Sequence, residues 1–126
     1  MRARQTAEAV VGAITGTLSR PRMLVLGRFD GEGRLRYVGK TTQISTPASQ
    51  QLVGQLTAAS MGTHPWEYAR FSTAWGNRDF LDTTLVAPDR VAEVSVDTAK
   101  DRGAWRHPVR LVRLRLDMAV ADVPTA

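Results

Sequence analysis

The side chains in this sequence best suited to chemistry are its arginines. Of 17 basic residues, 15 are arginine, and only Lys40 and Lys100 are lysine. They crowd two stretches: Arg20, Arg22, Arg28, Arg34, Arg36 and Lys40 in the first, and Arg102, Arg106, Arg110, Arg113 and Arg115 in the second. Between them the chain turns acidic: residues 79–101 carry Asp79, Asp82, Asp89, Glu93, Asp97 and Asp101 against Arg90 and Lys100. A guanidinium offers parallel donors to a phosphate, so a basic, acidic, basic order is consistent with one positive, phosphate-seeking face. A net charge of +5 and a pI near 10.7 point the same way. Solvated strand faces give a similar pattern, and GC-rich coding also enriches arginine, so placement along the chain has to decide.

Other chemistries find less support. Without cysteine there is neither a disulfide framework nor a thiolate metal site, and His64 and His107 are too far apart in sequence to suggest zinc. No Gly-x-Ser-x-Gly elbow occurs. His107, in Arg106-His107-Pro108, reads as a strand-entry residue. The run Gly39-Lys40-Thr41-Thr42 combines a close-approaching backbone, an ammonium and two hydroxyls, but it lacks the spacing of a nucleotide phosphate loop.

These residues need strands to hold them. A length of 126 residues suits one domain with a real core. Val10 to Leu18 is a β-prone run in which Gly12 and Gly16 stand where a barrel strand could bend. Arg22 to Phe29 and Arg34 to Thr41 form two further strands, joined by a hairpin loop over Asp30-Gly31-Glu32-Gly33. Thr46 as cap, Pro47 at the first helical position and the stripe Ala48, Leu52, Val53, Leu56 predict one helix running to about Ala58. Strands are expected at 68–74, 80–86, 90–97 and 105–116, the last threading Arg110, Arg113 and Arg115 between apolar residues. Three strands, a helix and further strands is the order of an OB-fold. The expected class is therefore all-β with one helix, a five-stranded Greek-key barrel with the helix between strands 3 and 4.

Aromatic residues are few, and Trp66, Tyr68, Phe71 and Trp75 cluster after the helix, away from the basic strands. They read as core, and Phe29 and Tyr37 suit cross-strand packing as well as a binding face, so duplex backbone contact is preferred over base stacking. No run approaches the roughly 18 apolar residues of a membrane span. The small, interrupted apolar stretch after the basic N-terminus carries no cleavage-type site, so a cytoplasmic location, nucleoid-associated when DNA is bound, is expected.

The stretch LVLGRFDGEGRLRYVGKT (24–41) resembles the second and third strands of the C-terminal OB domain of ATP-dependent DNA ligases, bacterial ones especially. LVAPDRVAEVSV (85–96) and WRHPVRLVRLRLDM (105–118) are similar to that family's penultimate strand and C-terminal motif, which ends Arg-x-Asp-Lys. RQTAEAVVGAITG resembles the segment that leaves the adenylation domain, which implies that residues 1–9 are linker and 119–126 a tail. The resemblance implies a division of labour. An adenylation domain, in cis or in trans, carries a Lys-x-Asp-Gly nucleophile, and no such motif occurs in this sequence. The OB domain helps to position ATP phosphates in one orientation and lies against duplex or nicked DNA in the other.

By position, the nucleotide role falls on Arg113, Arg115 and Asp117, with Met118 where the family has lysine. The DNA role falls on Arg28, Arg34, Arg36, Lys40, Thr41 and Thr42, joined by Arg106 and Arg110. An ion pair between Arg115 and Asp117 would equally account for those two residues. ATP and Mg2+ are implied for a complete ligase and no cofactor for this chain alone; the domain is expected to be monomeric and not to bind membranes. The alternative is a stand-alone OB module that binds nucleic acid or protein and has left ligation.

Overall fold

The computed structural model describes residues 4–59, 64, 66, 83–97, 100–101 and 103–126. The expected strand at 68–74, Tyr68, Phe71, Trp75 and Arg102 lie outside them.

The described elements are β1 (Arg4–Thr17), β2 (Arg20–Phe29), β3 (Leu35–Lys40), α1 (Thr46–Leu52), β4 (Thr83–Leu85), β5 (Val91–Asp97), β6 (Lys100–Asp101), β7 (Ala104–Trp105), β8 (Arg110–Leu114) and a 3-10 turn at Val120–Asp122. The main sheet runs β3-β2-β1-β5-β8, with β4 also on β1. Strand β1 serves two neighbours in succession: Arg4 to Val10 pair antiparallel with β5, and Val10 to Thr17 pair with β2. The order closes on itself where Thr41 and Val109 form a parallel bridge, with Val109 N–H donating to Lys40 O at 2.9 Å and Thr42 N–H to Val109 O at 2.8 Å. This is an OB-fold barrel.

The continuous apolar runs of β1 and β2 are explained by burial on both sheet faces. Inside the barrel, Ile14, Leu24, Leu26, Val38, Val94, Trp105 and Val109 pack with Leu52 of α1. On the outer face, Val10, Val25, Leu35 and Val91 are covered by Trp66 and Val123. A side chain at Gly12 or Gly27 would run into the Trp66 ring, and one at Gly39 would come within 2.8 Å of Trp105. Gly12 is therefore a seat for an aromatic ring. Of the two glycines expected to bend β1, only Gly16 has the left-handed backbone, with φ at +82°.

Several boundaries move. Ser45, not Thr46, caps α1, its hydroxyl accepting from Ala48 N at 3.3 Å. The helix stops at Leu52, short of Ala58, because Val53 is extended, Gly54 turns to φ +83° and residues 57–59 are drawn into pairing with Leu85–Ala87. The single strand expected over 105–116 is two strands, β7 and β8, separated at Pro108. Residues 4–9, expected as linker, are barrel strand in register with β5. The expected tail folds back over the outer face, where Val123 is buried and Ala126 N–H reaches Phe29 O at 3.1 Å.

Candidate nucleic-acid interface

The β2–β3 hairpin is organised by Asp30. One carboxylate oxygen accepts from the backbone N–H groups of Glu32 (2.9 Å) and Arg34 (3.0 Å), and the other from Arg36 Nε (2.8 Å). The Arg34 amide first, then the Arg36 guanidinium, hold the Asp30 carboxyl down at about 2. Arg36 is thus committed to an internal partner. Arg34 lies 3.5 Å from Glu32, and both are open to solvent, so that pair contributes little stability, but together with the Asp30–Arg36 pair it cancels the tip's charge.

Arg28, expected from sequence to contact DNA, is engaged by partners within the chain. Its Nε and Nη2 donate to Glu8 O at 3.0 and 2.8 Å, and its Cζ lies 5.2 Å from the centre of the Trp105 ring. Burial pulls its pKa below the ordinary arginine value, and nearby Glu8 opposes that. Lys40 is half-buried, and burial lowers its pKa too. Thr41 is fully buried: its backbone N–H donates to Leu24 O, and its hydroxyl accepts from Leu24 N, both at 2.9 Å. It therefore fastens the barrel seam.

Beyond the seam the picture changes. Two recesses, of about 420 and 320 Å³, share Gln43 and Ile44 and run between the start of β2, the segment after Thr41 and the first turns of α1. Arg20, Arg22, Thr46 and Gln50 line the first; Thr42, Ser45 and Arg110 line the second. Strand alternation explains the outward arginines, because Pro21 between them is buried. The floor is fixed by Ile44 N–H donating to Arg22 O at 2.8 Å, and the wall by Ser49 Oγ donating to Pro21 O at 2.6 Å. Among the described residues no acidic side chain pairs with Arg20, Arg22 or Arg110. Arg106 and His107 are exposed on the loop that enters β8.

Of the residues chosen from sequence, Thr42 and Arg110 meet in this groove; Arg34 and Arg36 lie on the hairpin. Arg20, Arg22 and Gln43 were missed. The first two stand in the leading basic cluster, and the available signal was that no acidic residue accompanies them, whereas Asp30 and Glu32 sit inside the hairpin.

The C-terminal motif lies elsewhere. Arg113 Nε meets Glu93 at 2.7 Å, and Arg115 forms a two-point pair with Asp117, both contacts at 3.0 Å. The Arg115 guanidinium holds Asp117 down at about 2, and Asp117 in turn raises Arg115. Met118 packs against the outer cluster of Val10, Val25 and Trp66, so a thioether fitted to that cluster stands where the family has a charged lysine.

The chain resembles two solved structures in fold. The ligase domain of LigD from M. tuberculosis superimposes with a TM-score of 0.72 at 23% identity, covering 98% of this chain and 39% of that one. A mycobacterial DNA ligase D complexed with ATP and MES gives 0.67 at 21%, covering 97% and 38%. The chain thus spans about two-fifths of the length of either structure. No curated protein matches it. Residues 19–118 match the family described as the ATP dependent DNA ligase C terminal region, and the chain belongs to that family.

Proposed function

We propose that this chain is the DNA-contacting OB domain of an ATP-dependent DNA ligase. It binds duplex or nicked DNA through backbone phosphates and assists nick sealing by an adenylation domain supplied in cis or in trans. Family membership over residues 19–118 carries the proposal. The net charge of +5 supports it, as does the presence of arginines that, among the described residues, no acidic side chain pairs with.

The same assignment gives the chain a lesser part in adenylation. ATP is the substrate of the complete ligase, and its terminal phosphates need cations. Arg115 supplies one if it exchanges its Asp117 partner for a phosphate oxygen, with Arg113 beside it. Met118 contributes no charge, which weakens this role. Mg2+ would accompany the nucleotide in the complete ligase.

Titrating the chain with nicked duplex at several salt concentrations tests the reading. A phosphate binder loses affinity log-linearly with salt, with a slope of about 0.9 per neutralised phosphate. No binding even at about 50 mM salt, where such contacts are strongest, overturns it.

A further inference from the structure

We propose that the groove between β2 and α1, with Arg20 and Arg22 at one end and Arg110 at the other, holds the phosphodiester backbone of one DNA strand and is the chain's principal DNA contact. The proposal rests on the DNA-binding function above and assigns it to a site.

Charge comes first. Asp30 and Glu32 accompany Arg36 and Arg34 on the hairpin. Arg20, Arg22 and Arg110 have no acidic partner among the described residues, so their full charge is available to a polyanion.

Shape comes second. The two recesses share Gln43 and Ile44, with Arg20, Arg22 and Gln50 lining one and Arg110 the other, so together they make a track with cations on both sides of the shared residues. A succession of phosphates needs such a track, and a single small anion does not. Among the described residues no aromatic side chain lines either recess, so phosphate contact is favoured there over base stacking.

Rigidity comes third. The floor belongs to the barrel ladder through Ile44 and Arg22, and α1 is tied down by Ser49 on Pro21, so the track exists before the ligand arrives.

The test compares two variants of the full chain in titrations with nicked duplex: R20A/R22A/R110A in the groove and R34A/R36A in the hairpin. All five side chains are exposed, and circular dichroism with thermal melts verifies that both variants remain folded. The groove variant is expected to lose about a hundredfold in affinity at about 50 mM salt, and its salt slope to fall by about 2.7, from about 0.9 per phosphate contact. The hairpin variant is expected to change by less than about threefold. The lysine version, R20K/R22K/R110K, should restore most of the salt slope, because it keeps the charge and loses only the paired donors. A groove variant that binds with wild-type affinity and slope overturns the groove assignment while leaving DNA binding intact. Failure of the unmodified chain to bind at all overturns the underlying function instead.

Discussion

The hairpin and the groove are both built from arginines on β2 and its neighbours, and they differ in what faces those arginines. In the hairpin, Asp30 takes Arg36 and two backbone amides, and Glu32 stands beside Arg34. In the groove, the arginines face polar uncharged side chains and solvent. A count of basic residues cannot distinguish the two, because a paired arginine and an unpaired one contribute equally to composition and very differently to the field outside the protein. On the proposal above, the hairpin arginines serve structure and the groove arginines serve binding.

The largest effect is expected at Trp66, which anchors the base of the hairpin. Its indole N–H donates to Leu35 O at 2.8 Å, and its ring lies over Gly12 and Gly27 on the outer face. Trp66→Ala removes the centre of the outer cluster and is expected to cost about 3–5 kcal/mol, a large share of the stability of a domain this size. A urea titration measures it. DNA affinity of the folded fraction, and its salt slope, should persist, because the groove lies at the other end of β2. A variant that melts normally but loses DNA binding would reverse the assignment of the two regions.

Thr41 comes next. Thr41→Val leaves the Leu24 N–H without its side-chain acceptor in a fully buried site, an expected cost of about 1–3 kcal/mol, whereas Thr41→Ser keeps the hydroxyl and should cost less. Neither should alter the salt dependence of DNA binding. If Thr41→Val weakens DNA binding at unchanged stability, Thr41 contacts phosphate after all and the seam belongs to the interface.

Much of the fold is legible in the sequence because period and turn chemistry encode it: the strands around Asp30 to Gly33, the strand expected at 90–97 and, to within one residue, the start of the helix at Pro47 all follow from local pattern. What local pattern cannot carry is the partner across space. Gly39 looks like a close approach to a phosphate until Trp105, far along the chain, is seen to occupy the room it leaves. Thr41, in the Gly39-Lys40-Thr41-Thr42 run, reads as a hydroxyl available to phosphate, but the Val109 bridge buries it. The helix boundary fails for the same reason, since Thr57 to Ala59 are claimed by residues 85–87. The groove is the extreme case: it joins residues near 20, 43 and 110, and only the closed barrel brings them together.

The smallest effect is the one that sharpens the comparison most, because it converts one region toward the other. The Asp30 carboxyl titrates at about 2, against an ordinary value of 3.8. A carboxyl depressed by folding stabilises the native state fully above its ordinary value, and that contribution disappears as pH falls from about 3.8 to about 2. Asp30→Asn keeps an oxygen for the Glu32 and Arg34 amides, so the turn survives, but it removes the charge that holds Arg36. The variant should melt slightly lower than wild type at neutral pH and show a shallower decline across that acid window. Asp117, held down in the same range by Arg115, contributes to the decline in both proteins, and Asp117→Asn removes that part separately. With Arg36 released, the hairpin gains one uncompensated cation, and the DNA salt slope should steepen by up to about 0.9. A slope that stays flat would mean that the hairpin does not approach the DNA even when charged. Geometry as well as charge would then confine binding to the groove.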